Sequence, residues 1–93
     1  ISLTKVLPVV MDLAAPGALL LALIKPQFEV GPAQTGKGGI VRDRQAIADA
    51  VARIEHWLVA DMRWEPIGTV TSPIYGQGGN REFLMAGRKS QNG

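Results

Sequence analysis

Residues 18–26, ALLLALIKP, contain the longest apolar run of the chain, followed at once by a lysine and a proline. The apolar part, residues 18–24, is short for a helix and lies between Pro16-Gly17 and Pro26. Such a continuous apolar run predicts a strand that is buried on both faces, as in a parallel sheet covered by helices. Lys25 would then follow the carboxyl end of a strand, where open α/β sheets bind their ligands.

The segment before this strand predicts a helix. Ser2 can act as its N-cap. Pro8 lies inside the segment and should kink the helix or restrict it to its later turns, and Pro16-Gly17 should end it. The apolar residues that follow helical spacing, and that we expect on one face, are Leu3, Val6, Leu7, Val10 and Leu13.

The segment after the strand predicts a loop, a second helix and two further strands. Residues 27–42 form a long glycine-rich connection, and Asp43 is the predicted N-cap of the second helix. The helix has the clearest periodicity of the chain, with an inner face of Ile47, Ala50, Val51, Ile54, Trp57, Leu58 and Met62. Residues 63–72 predict a strand ended by Pro73, residues 75–80 a turn, and residues 83–87 a final strand.

The order of these elements predicts an α/β fold of the type helix-strand-helix-strand-strand. A short turn between the last two strands makes them antiparallel. A right-handed crossover through the second helix would let the final strand lie between the two earlier strands.

Composition narrows the function classes. The chain has 93 residues, a net charge of +2 and 46% hydrophobic residues, which fits one small globular domain. It has no cysteine and a single histidine, His56, so it lacks a disulfide framework, a thiolate metal site and a histidine metal centre. The absence of cysteine fits a reducing compartment, and we expect a cytoplasmic protein. No apolar window approaches the ~18–20 residues of a membrane span.

Residues 31–38, GPAQTGKG, nearly match the phosphate-binding loop G-x-x-x-x-G-K-[ST]. Gly38 stands where that motif needs a hydroxyl for magnesium, and the loop runs on to Arg42 before a helix can begin. The segment therefore predicts a long surface loop rather than a nucleotide triphosphate site.

The candidate site residues lie beside predicted strand ends. If the final strand is antiparallel to the first, Glu82 at its start should neighbour Lys25. Such a pair is either an ion pair of small energetic value or a pair that holds catalytic groups in position. Trp64 and Tyr75 could stack on bases, whereas Trp57 should be core and His56 a surface residue.

The runs ISLTKVLP, LIKPQFE, GKGGIVRD and SPIYGQGGNREFL occur in this order from Ile1 to about Arg88. They resemble the FtsJ-like RNA 2′-O-methyltransferase domain, most closely the TlyA-type proteins, which are often labelled haemolysins. The resemblance implies the C-terminal half of a Rossmann-like methyltransferase sheet over residues 1–93. It also implies S-adenosylmethionine as the cofactor of the full-length protein and RNA, ribosomal RNA in particular, as the substrate.

The family is described as using a Lys-Asp-Lys-Glu tetrad. By the resemblance, Lys25 is the second lysine and Glu82 is the glutamate. The basic side chains of Lys37, Arg42 and Arg81 could hold phosphates, and together with Asn80 they are the candidate RNA-binding residues. The first lysine, the aspartate and the glycine-rich cofactor loop have no counterpart in this sequence, and no cofactor-binding residue is assigned. The resemblance therefore implies a partial domain that is inactive alone.

A competing hypothesis is a non-catalytic α/β module that binds RNA or protein without chemistry. Neither a membrane span nor a basic amphipathic helix supports the lytic activity that the haemolysin label suggests. An open sheet edge would also favour a homodimer.

Overall fold

A computed structural model of the protein describes residues 1–91. These described residues form four α-helices and three strands: α1 Leu3–Val6, α2 Pro8–Leu13, β1 Leu19–Ile24, α3 Pro26–Glu29, α4 Arg44–Ala60, β2 Glu65–Thr71 and β3 Phe83–Arg88. Short 3₁₀ turns occupy Pro32–Gln34, Lys37–Gly39 and Gln77–Gly79. The predicted domain limit of residue 93 lies outside the described residues.

Pro8 divides the predicted first helix into two short helices. Ser2 caps α1, because its hydroxyl accepts the backbone N–H of Thr4, and Pro8 occupies the first turn of α2, where its missing N–H costs nothing. Because of the kink, the side chains that face the core are not those of one straight helix. Met11 is buried, and Leu3 and Leu7 pack beside the core. The prediction of one continuous apolar face is therefore wrong for three exposed residues, Val6, Val10 and Leu13.

The sheet has the predicted strand order, β1-β3-β2, and β3 is antiparallel to both of its neighbours. β1 and β2 therefore run in the same direction, connected by a crossover that contains α4, with β3 between them. The register pairs Ile24 of β1 with Phe83 of β3, and Thr71 of β2 with the same Phe83. The predicted α/β fold is confirmed.

β1 is buried on one face only, which corrects the prediction of a strand covered on both sides. Ala22 and Ile24 are 6% and 0% exposed and pack beneath the helices, whereas Leu19 and Leu21 on the opposite face are 65% and 70% exposed. Side chains alternate across a strand, so a sequence that is apolar at every position does not show which of its faces is covered by other elements.

The core lies between the helices and one face of the sheet. α4 supplies Ile54, Trp57 and Leu58, and it begins at the predicted cap, where Asp43 accepts the backbone N–H groups of Gln45 and Ala46. Trp64 is 5% exposed within this core, so the prediction that it could stack on bases is wrong. The predicted core position of Trp57 and the exposed position of His56 are confirmed.

The glycine-rich connection contains more local structure than expected. It begins with α3 and continues through two 3₁₀ turns, and α4 begins only at Arg44. No helix starts at the Lys37 loop itself, which agrees with the rejection of a nucleotide triphosphate site. Within residues 1–91, no helix is both long and apolar enough to cross a membrane.

Candidate active site

The antiparallel register brings Lys25 and Glu82 together. Because Ile24 pairs with Phe83, the residue that follows β1 and the residue that precedes β3 meet at the same rim of the sheet. Lys25 Nζ lies 4.0 Å from Glu82 Oε2. The predicted neighbourhood of these two residues is confirmed.

The two charges differ in their access to solvent. The side chain of Glu82 is 6% exposed and that of Lys25 is 40% exposed, so the carboxylate lies inside the rim and the ammonium lies at its mouth. Lys25 Nζ also lies 5.6 Å from the centre of the Phe28 ring, which is itself exposed. A ligand can therefore reach the ammonium without displacing Glu82.

Gln27 contacts Glu82 directly, a feature that sequence reasoning missed. Its Nε2 donates to Glu82 Oε2 at 2.8 Å. The Gln27 amide and the Lys25 ammonium therefore both lie next to the same carboxylate oxygen. The sequence places Gln27 two positions after Lys25, but its spacing alone does not indicate which side chain the amide meets.

Gly76 is the second feature that the sequence did not reveal. A Cβ at this position would lie 2.0 Å from Glu82 Oε2 and 2.6 Å from its Cδ. The carboxylate of Glu82 therefore occupies space that only glycine leaves free.

Two loops of matching sequence flank the rim. Residues 36–40, GKGGI, and residues 76–80, GQGGN, each form a 3₁₀ turn closed by the same hydrogen bonds. Gly36 N–H donates to the Ile40 carbonyl at 2.8 Å, and Gly76 N–H donates to the Asn80 carbonyl at 2.7 Å. Each turn has two consecutive glycines with positive φ, a conformation that favours glycine.

Asn80 joins these two loops. Its Oδ1 accepts the Val41 N–H at 2.9 Å, and its Nδ2 donates to the carbonyls of Gly39 and Gln77 at 3.0 and 3.1 Å. The residue is 3% exposed. The structure thus gives the Asn80 side chain a role in loop positioning.

The other candidate RNA-binding residues lie on the loops around the rim. Lys37 and Arg42 are exposed on the first loop, and Arg42 Nη1 donates to the Lys37 carbonyl at 3.4 Å. Arg81 lies over the Tyr75 ring at 4.2 Å from its centre and donates to the Tyr75 hydroxyl. Tyr75 remains half-exposed, although Arg81 contacts its ring.

A cleft of about 310 Å³ opens between the two loops beside Lys25. Its lining includes Lys25, Gln27, Phe28, Thr35, Gln77 and Asn80. Larger depressions of about 400 and 510 Å³ lie elsewhere, between α4 and β2 and beside Asp12 and Lys89. Neither contains Lys25 or Glu82, so the candidate site is assigned by its chemistry rather than by cavity size.

None of the residues that line the cleft is acidic, so it lacks a carboxylate of the kind that binds the ribose hydroxyls of nucleotide cofactors in such folds. Among residues 1–91, no group of three or more histidine, cysteine, aspartate or glutamate side chains could hold a metal ion.

The sheet and its helices form a small α/β domain with a lysine–carboxylate pair at one rim. The family model for FtsJ-like methyltransferase matches residues 1–89, and the chain belongs to this family.

Two relatives carry rRNA methyltransferase names. The chain is 39% identical over 85 residues to the 16S/23S rRNA (cytidine-2′-O)-methyltransferase TlyA of Mycobacterium tuberculosis, covering 91% of this chain and 31% of that protein. It is 45% identical over 85 residues to YqxC of Bacillus subtilis, a protein labelled as an rRNA methyltransferase, covering 91% of this chain and 30% of the relative. The chain thus spans about a third of the length of the curated relatives that it matches.

A solved structure has the same fold. A hemolysin-labelled protein from Streptococcus thermophilus superposes with a TM-score of 0.87 and 36% identity, covering 97% of this chain and 32% of that chain. The family uses S-adenosylmethionine in general, and the likeness extends over nearly all of the present chain.

Proposed function

We propose that this chain is part of an S-adenosylmethionine-dependent RNA ribose 2′-O-methyltransferase, in which Lys25 is the catalytic residue and Glu82 holds it in position. The observation that carries the proposal is the contact of 4.0 Å between Lys25 Nζ and Glu82 Oε2 at the rim of the sheet. By the family resemblance, these are the second lysine and the glutamate of the Lys-Asp-Lys-Glu tetrad.

The arrangement suits the chemistry of a ribose hydroxyl. The 2′-hydroxyl is a poor nucleophile, and it must lose its proton as its oxygen forms a bond to the methyl carbon. Lys25 lies at the mouth of the rim, where its amine can accept that proton or its positive charge can stabilise the developing alkoxide. The cofactor of the family supplies the methyl group when bound.

Glu82 is the orienting partner of Lys25 in this scheme. Its carboxylate is almost fully buried and already accepts the Gln27 amide, so it is poorly placed to meet a substrate hydroxyl. Its negative charge instead attracts the lysine ammonium and limits the positions that this long, flexible side chain can occupy.

RNA would approach the exposed basic loops. Lys37, Arg42 and Arg81 can bind phosphates and hold the strand in register. Asn80 supports this surface indirectly, since its amide fixes the loop that carries Lys37. The rRNA methyltransferase names of the relatives favour ribosomal RNA as the substrate, and we place the protein in the cytoplasm on that ground.

The 93 residues alone are proposed to be inactive. They contain only two members of the tetrad, and the cleft beside Lys25 has no lining carboxylate for a cofactor ribose. We also propose that the isolated chain forms a homodimer, since β1 has a free edge and exposed leucines among the described residues.

The test is transfer of radiolabelled methyl groups to ribosomal RNA by the complete protein and its Lys25→Ala variant. We expect the variant to lose about 10²- to 10⁴-fold in kcat, the range typical of a positioned general acid–base group. Lys5→Ala is the matched control, because Lys5 is exposed on α1 and is remote in sequence from the rim.

Full activity of Lys25→Ala would remove Lys25 from the mechanism. RNA binding by the complete protein without any methyl transfer would favour a non-catalytic RNA-binding module. Methyl transfer by the 93-residue chain alone would refute the proposed inactivity of this chain.

A further inference from the structure

The Glu82 carboxylate is held by a second side chain as well as by Lys25. Gln27 Nε2 donates to Glu82 Oε2 at 2.8 Å, and this oxygen lies 4.0 Å from Lys25 Nζ. A hydrogen bond to a charged acceptor is stronger and more directional than one between neutral groups. The amide therefore restricts the position of the oxygen that faces the lysine.

The Gln27 amide is anchored only through its nitrogen. Its Oε1 is buried and has no hydrogen-bond partner among residues 1–91. A buried acceptor without a partner is unfavourable, so simple packing would favour an apolar side chain here. The hydrogen bond to Glu82 is thus the interaction that favours an amide over an apolar side chain at position 27.

The short helix that carries Gln27 is fixed at its far end. Glu29 accepts the hydroxyl of Ser2 at 2.5 Å and the backbone N–H of Leu3 at 3.0 Å. Arg53 on α4 donates to the Glu29 carbonyl at 2.9 Å. α3 is therefore attached to α1 and α4, and Gln27 extends from a firmly held support.

Gly76 closes the other side of the carboxylate. A Cβ there would overlap Glu82 Oε2, at 2.0 Å. The Gly76 backbone has φ −76° and ψ −177°, which any residue can adopt, so an alanine would act through this overlap and not through backbone strain.

We propose that Gln27 is a positioning residue, which with Gly76 forms a cradle that fixes the Glu82 carboxylate and, through it, the Lys25 ammonium. The effect of Gln27 on catalysis rests on the function proposed above, whereas the hydrogen bond between Gln27 and Glu82 does not depend on that function. A side chain that positions a catalytic pair should affect the rate of the chemical step rather than substrate binding.

The test uses Gln27→Met and Gly76→Ala in the complete protein. The first variant keeps the length of the side chain but removes the donor, and the second leaves the donor but displaces the carboxylate. Each should lower kcat about 10- to 100-fold, the effect of losing a hydrogen bond to a charged group, with KM for RNA changed less than about twofold. Gln34→Met and Gly31→Ala are the controls, since Gln34 is exposed and a Cβ at Gly31 meets nothing within 4 Å.

A second readout separates this proposal from the proposed function. The ¹³C signal of the Glu82 carboxylate should move in Gln27→Met and in Gly76→Ala, and should stay in place in both controls. An unmoved signal overturns the proposed cradle, whether or not the protein is active. Because this measurement does not depend on activity, it also decides the question for a variant that has lost activity for other reasons.

The kinetic outcomes are also distinguishable. Loss of activity in Lys25→Ala together with unchanged kcat in Gln27→Met would overturn the positioning role and leave the proposed function intact. Absence of methyl transfer by the unmodified complete protein would remove the proposed function, and the carboxylate signal would then decide alone whether Gln27 holds Glu82.

Discussion

Asn80 connects the two loops through one buried amide. Its three hydrogen bonds reach Val41, Gly39 and Gln77, and the residue is 3% exposed. Aspartate in the same place could still accept the Val41 N–H, but it would turn a carboxylate toward two carbonyl oxygens. The side chain thus needs both a donor and an acceptor, which asparagine supplies.

Asn80→Ala should therefore destabilise the protein. Removal of the amide leaves a buried N–H and two carbonyls without their partners, which should cost about 2–4 kcal/mol, given about 1–3 kcal/mol for each unsatisfied buried group and partial access of the loop to water. Urea denaturation followed by circular dichroism measures the change. Gln77→Ala in the same loop is the control, because its side chain is exposed; equal stability of the two variants would contradict the role given to Asn80.

The sequence predicted the strands and the long helix well because their signals are local. Asp43 marked the start of α4, the helical period marked its inner face, and a proline marked the division between α1 and α2. The order β1-β3-β2 followed from a short turn and a right-handed crossover. These rules leave few alternative topologies for so few strands.

The wrong predictions concern which side chains of each helix and strand pack into the core. The kink at Pro8 brought Met11 into the core, where the continuous pattern had favoured Val10, and Leu21 is exposed although its strand is apolar throughout. The sequence does not indicate which residues surround Trp64, and the structure places this side chain in the core. Burial depends on tertiary contacts that periodicity alone does not contain.

The candidate site was also predicted only in part: the residues placed by strand pairing were found, and those that depend on tertiary contacts were not. Strand ends placed Lys25 beside Glu82, because an antiparallel register is a strong geometric constraint. Gln27 and Gly76 could not be found in this way, since their roles depend on the direction of one amide and on the space left by one missing Cβ.

The sheet has one face covered by helices and one face open to solvent. Leu19, Leu21 and Val70 are at least 63% exposed, and they project from the face opposite the helices. Exposed apolar patches next to a free strand edge favour association. This feature motivates the proposed homodimer of the isolated chain.

Sedimentation equilibrium of the 93-residue chain should show a mass that rises with concentration. Leu21→Glu should return it toward the mass of one chain, 9.9 kDa, because the new charge lies on the open face. Val59→Glu is the control, since Val59 is also exposed but lies on α4. A mass of 9.9 kDa for the unmodified chain at every concentration would rule out the proposed dimer.

Lys25 and Glu82 are proposed to act as one unit in catalysis, and a double-mutant cycle on methyl transfer tests this most directly. The complete protein, Lys25→Ala, Glu82→Gln and the double variant would be compared by kcat under saturating RNA. Residues that act as a unit are non-additive, so we predict that the double variant is about as slow as Lys25→Ala alone. A double variant whose loss equals the product of the two single losses would contradict the claim.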